Sequence, residues 1–226
     1  SFCYDLSNAR IYGDYNNLYF VGQAYPARYN ETLKPTLILE GLPQWTEFST
    51  QDLYSVSVDP LFADASADDY HPRSPFGRFD RSLGTFVMTD TNLSYLVDGG
   101  PPAYDYDQEP EPNGGRRNMG IYGNTAEASM GFTNPWVRAI TASSGGRLGG
   151  TFFLTWLWGN MAPSNTVTLD YSVDGGTNWV RIASNQTVST GRHLWESSLS
   201  GLAISPIARW RILQDADTNV VDVTDQ

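Results

Sequence analysis

The chain has 226 residues, 40% of them hydrophobic and 13% aromatic, enough to bury a core in one large or two modest domains; global disorder is excluded. Its formal net charge of -11 repels nucleic-acid phosphate and anionic membrane, so neither is expected as a partner, whereas divalent cations and neutral glycans are tolerated. Charged residues reach only 17%, which leaves Asn, Ser, Thr, Gly and Tyr to make the surface, a composition common in extracellular β proteins. The single cysteine, Cys3, rules out an intrachain disulfide, and no apolar run is long enough to insert into a membrane as a helix. The opening residues Ser1 to Asp5 lack the basic and apolar regions of a signal peptide, so the expectation is a mature or excised piece of a longer exported protein.

Helical periodicity is poor, with 21 Gly and 13 Pro scattered through the chain. A short helix is expected near Leu42–Phe48, with Thr46 or Ser49 able to cap it. Elsewhere short strands alternate with turn residues, which predicts an all-β protein. Strand candidates in the first half follow Asp14, cover Ser55–Val58 before the Asp59-Pro60 turn, and recur at Gly84–Thr89 and Tyr95–Asp98. The Asn16-Asn17 pair reads either as a stacked amide ladder or as the close of a turn.

A composition shift at 131–147 marks the expected junction between a first part, 1–140, and a second, 141–226. Strands there are expected over Thr151–Trp158 and Asn165–Val173, with Val167, Leu169, Tyr171 and Val173 on one face. Asp174, Gly175 and Gly176 then turn the chain into Asn178–Ala183. Further strands follow at Gly191–Glu196, Ala208–Leu213 and Asn219–Val223, a spacing that suggests an immunoglobulin- or fibronectin-like antiparallel β-sandwich.

Several pieces, taken in order, carry a resemblance: Asp14–Tyr19, Ser57–Phe62, Tyr70–Asp80, Val97–Pro102 and Pro112–Gly123. Together they resemble the C-terminal region of bacterial right-handed parallel β-helix repeat proteins. The resemblance implies the closing rungs of an extracellular β-solenoid over 1–140, followed by an appended sandwich. It also implies that an enzyme of this type would carry its cleft on upstream rungs not contained in this chain.

Asp105, Asp107, Glu109 and Glu111 alternate, so an extended backbone would aim them one way. Such a row is either a solvated loop or a Ca²⁺ site, with Arg116 and Arg117 available to offset the charge. Trp156, Trp158, Trp195 and Trp210 are candidates to stack on glycans, or else core residues. Ser172–Trp179 fits one Asp-box; without repeats, Asp174, Gly175, Gly176 and Trp179 are assigned to turn structure, with Trp179 covering the hairpin. His71 and His193 have no zinc or hydrolase motif around them. The resulting expectation is a structural or adhesive part of a cell-surface or extracellular protein, with neutral glycans or other copies of itself as partners. The alternatives are an accessory region of a polysaccharide lyase or glycoside hydrolase, or a carbohydrate-binding module.

Overall fold

The computed structural model describes residues 2–19, 25–30, 36–39, 41–143, 145, 149–197 and 205–224. Among them are fourteen strands and a single α-helix, so the protein is all-β. Two compact units form: unit 1 takes Ser1–Val58, Val137–Leu157 and Pro163–Gln226, and unit 2 takes Asp59–Trp136 and Trp158–Ala162. Residues 1–58 thus cluster with most of the second half of the chain.

In unit 1, β1 (Phe2–Ser7) pairs in parallel with β2 (Tyr25–Asn30), Tyr4 standing opposite Ala27 and Leu6 opposite Tyr29. Strand β3 (Leu37–Leu39) lies antiparallel on the far side of β2. A second parallel contact joins Asn17 to Val56, where Leu18 donates to the Val56 carbonyl and Val56 to the Asn16 carbonyl, both at 2.8 Å. The Asn17 side chain is neither a ladder nor a turn closure. Its amide clamps Val58, donating to the carbonyl at 2.9 Å and accepting the N–H at 3.2 Å.

The expected helix is α1 (Leu42–Ser49), with Pro43 in its first turn, where the missing N–H costs nothing. Neither Thr46 nor Ser49 caps its start; Gly41 does so without a side chain, and left-handed Thr50 ends it. The helix exists to bury Trp45, which packs with Leu18, Ala27 and Leu39. The Trp45 indole N–H donates to Asp52 at 2.8 Å, which satisfies both buried groups.

Unit 2 holds two short antiparallel pairs, β4 (Phe62–Asp64) with β5 (Asp69–Pro72) and β6 (Arg78–Asp80) with β7 (Thr85–Val87). From residue 88 to 135 there is no strand, and the chain runs in turns. Tyr95–Asp98, expected as a strand, is such a turn. The buried Ser94 hydroxyl accepts the Leu96 N–H at 3.1 Å and Asp98 adopts a left-handed φ of 58°, so the backbone cannot extend. Parallel pairing is therefore found at residues 2–58 and not in the 59–135 segment that was expected to stack as rungs.

Strands β8 (Trp136–Ala139), β9 (Thr151–Gly159), β10 (Thr166–Ser172), β11 (Val180–Thr187), β12 (Arg192–Glu196), β13 (Arg209–Gln214) and β14 (Val221–Val223) form two sheets. Their orders are β12-β9-β8 and β11-β10-β13-β14. The ladders of β10 with β11 and β13, β12 with β9 and β13 with β14 are antiparallel. The sheets touch through Tyr171 and Trp195, whose ring centroids are 5.0 Å apart. Val167 and Leu169 are fully buried on one face of β10, and Thr168, Asp170 and Ser172 are buried on the other. A central strand with polar residues on its second face requires partners for them, and these are found below.

Candidate functional site

The acidic row does not form an extended rank of ligands. Residues 104–113 run through turns, so period-two alternation is lost; Asp105, Asp107 and Glu111 are exposed while Glu109 turns inward. Glu109 Oε1 accepts the backbone N–H groups of Asn118 and Asn124, each at 2.8 Å. Burial pushes its carboxyl above the usual glutamate range, and Asp98 adds to this against the pull of the two amides and Arg117. Glu111 is occupied with the N–H and side chain of Asn113. Arg116 and Arg117 donate to the carbonyls of Gly100 and Gly123 and do not face a row of acids. Among the described residues, no three His, Cys, Asp or Glu side chains gather as a metal-holding group.

What the segment builds instead is a buried polar knot. Asp98 is fully buried; one carboxyl oxygen accepts the Gly114 N–H at 2.9 Å and the other the Phe132 N–H at 3.1 Å. Asn118 accepts the Asp98 N–H at 2.7 Å and donates to the Ser129 carbonyl at 2.7 Å. Buried serines add further ties, Ser74 to the Met130 carbonyl at 2.6 Å and Ser94 to the Pro60 carbonyl at 2.7 Å. With so few strands, these bonds replace the ladder as the satisfaction of buried backbone.

The Asp-box turn is structural in its geometry. Asp174 Oδ1 accepts the Ser172 hydroxyl at 2.7 Å and the Asn178 N–H at 2.8 Å, while left-handed Gly175 and Gly176 carry the reversal. These donors, led by the Asn178 N–H, hold its carboxyl down at about 2. Trp179 is half-buried, and the Arg211 guanidinium lies 4.3 Å from its ring centroid. Arg211 in turn grips Asp170 through Nε at 3.0 Å and Nη2 at 2.9 Å, and Arg181 reaches the other Asp170 oxygen at 2.5 Å. Asp170 thus bolts β11, β10 and β13 together from the centre. Sequence reading missed this triad. Its signal was a charged residue at a buried period-two position, with arginines on the neighbouring strands.

Of the glycan candidates, Trp156, Trp195 and Trp210 are buried, at 1%, 8% and 2% exposure. Trp156 donates to the Val188 carbonyl and Trp210 to the Thr141 carbonyl, so their polar edges are used internally as well. Such rings cannot stack on a sugar; Trp158 alone of the four is half-buried. His71 lies in β5, fully buried and stacked on Tyr122 at 3.6 Å, with Nδ1 at 2.5 Å from Asp69 and Nε2 at 3.5 Å from Glu127. His193 rests against Gln186, and burial lowers its pKa.

Unit 1 also contains a half-open cavity of about 200 Å³. Leu42, Pro43, Leu53, Ile140, Phe152 and Phe153 line it, with Thr46 and Ser55 among them. A space of about 150 Å³ holds one benzene ring, so this cavity is sized for a single six-membered ring. Sequence reading gave no sign of it, since its walls come from segments about a hundred residues apart. No family model, curated protein or solved structure was found to match the chain. Among the described residues, no helix is long and apolar enough to cross a membrane.

Proposed function

We propose that this chain is a structural, adhesive part of an exported extracellular or cell-surface protein, formed by the end of a right-handed parallel β-helix and an antiparallel β-sandwich. The observation that carries the reading is the parallel β1–β2 ladder, in which Phe2 faces Tyr25 and Ser7 faces Asn30. The Asn17–Val56 bridge repeats the same direction of travel after a turn, as successive passes of a coil do. Contact between the two later sheets through Tyr171 and Trp195 supports the sandwich.

Strand β1 is the edge of its sheet, and among the described residues no strand pairs with its outer side. Tyr4 and Leu6 beneath it are only partly buried, whereas Ala27 and Leu39 further in are closed off. An open parallel edge over an unfinished core favours addition of another strand, here from a second copy of the chain. Sedimentation velocity over a concentration series tests this. Association that rises with concentration and is lost in Leu6→Lys is expected; a monomer at every concentration sinks self-association.

A second reading, glycan binding, is favoured by the ring-sized cavity with Phe152 and Phe153 in its wall. It is tested by titrating neutral monosaccharides against the chain and its Phe153→Ala variant. Saturable binding that the variant loses supports it, and no binding to either removes it.

A further inference from the structure

We propose that Glu109 is a pH-sensitive latch on the closing loops of unit 2, holding the segments at Asn118 and Asn124 more tightly when its buried carboxyl carries a proton than when it is ionised. Glu109 is only 6% exposed, yet its two carboxyl oxygens are unequal. Oε1 takes both backbone N–H groups at 2.8 Å, and Oε2 is buried and has no hydrogen-bond partner among the described residues. A proton on Oε2 leaves Oε1 free to keep both bonds and removes a buried charge. Ionisation adds a charge whose second oxygen nothing solvates.

Of the charged groups around it, Asp98 works in the same direction as burial and Arg117 against it. Asn118, which donates its N–H to Glu109, also accepts the Asp98 N–H at 2.7 Å, so a second, fully buried carboxyl belongs to the same knot. Arg117 opposes this from one side, but its Nη2 is engaged with the Gly123 carbonyl at 3.0 Å. Buried Arg116 is directed to the Gly100 carbonyl, and the neighbouring Asp107 and Glu111 are exposed. Because burial raises the folded-state pKa, the stabilisation is complete below the ordinary glutamate value of about 4.3 and is lost as pH rises through the raised one.

Hydrogen exchange of the Asn118 and Asn124 amides, corrected for intrinsic rate, tests the latch in the full chain and in Glu109→Gln. The glutamine keeps the acceptor and never ionises. Protection in the native chain should fall on going from acid to neutral pH, while the variant stays flat and better protected at neutral pH. Matching profiles, or a less protected variant, overturn the proposal. If the variant does not fold, the carboxyl carbon of Glu109 is titrated by NMR in the native chain. A midpoint above the ordinary glutamate value supports the latch, and one at or below it rejects it.

Discussion

The Asp98 carboxyl and Gly114 are fitted to each other: it accepts the Gly114 N–H at 2.9 Å, and a β-carbon on Gly114 would lie 2.2 Å from Asp98 Oδ2. Gly131 is confined in the same way, with a β-carbon there falling 2.1 Å from that oxygen. The glycines of the closing segment are thus space reserved for a carboxyl, a demand separate from the backbone freedom that turns usually ask of glycine.

Replacing Asp98 by Ala orphans two N–H groups, those of Gly114 and Phe132. At about 1–3 kcal/mol per unsatisfied buried group, the loss should be about 3 kcal/mol or more. Gly114→Ala should cost a similar amount by steric displacement of the carboxyl. Urea unfolding of both variants checks this, with Thr218→Ala, an exposed position, expected to stay within about 0.5 kcal/mol of the native chain.

The two arginines on Asp170 should not be equivalent. The Arg181 side chain is 57% exposed and Arg211 27%, while Asp170 is 4% exposed. Arg181→Ala is expected to cost less than about 1 kcal/mol, as exposed pairs do. Arg211→Ala removes two hydrogen bonds to a buried carboxylate and the contact over Trp179, and should cost about 2–4 kcal/mol. Equal losses in thermal or urea unfolding would show that Trp179 and the fork geometry contribute nothing.

Local patterns were legible where the backbone alone decided the outcome. Val167 and Leu169 alternate into the core as their period requires, Asp174-Gly175-Gly176 turns as its residue types demand, and Leu42–Ser49 coils around one large apolar side chain. What sequence could not give is how distant polar residues would be spent. Glu109 read as one of four equivalent acids because spacing presupposes an extended chain; the turns around it point one acid inward and three outward. Trp156 and Trp210 read equally well as sugar platforms or core, since only the covering sheet separates the two. Tyr95–Val97 has a strand's composition, but Ser94 bonds to its own turn and forecloses it.

The buried indoles lead to a prediction about what their removal does. Trp210 is 2% exposed and donates to the Thr141 carbonyl at 2.7 Å, so Trp210→Ala should destabilise unit 1 by about 3–5 kcal/mol. Acrylamide should quench the fluorescence of Trp158 and Trp179, both half-buried, well before that of Trp156 or Trp210. Single-tryptophan variants resolve the order. Early quenching of Trp210 would restore it as a sugar-stacking candidate.

Acid should open the Asp174 hairpin before it touches the rest of the β10–β11 sheet. The carboxyl is held at about 2 by the Asn178 N–H and side chain and the Ser172 hydroxyl, against about 3.9 in an unfolded chain. A depressed folded-state value stabilises above the unfolded pKa, and that contribution disappears as pH falls from about 4 to about 2. The stability difference between the native chain and Asp174→Ala should therefore be constant above pH ~5 and shrink across that window. The turn lies at the surface, so high salt should reduce the difference at neutral pH without moving the direction of the change. A difference that grows on acidification would mean that Asp174 is strained by its partners, and that the two glycines alone make the turn.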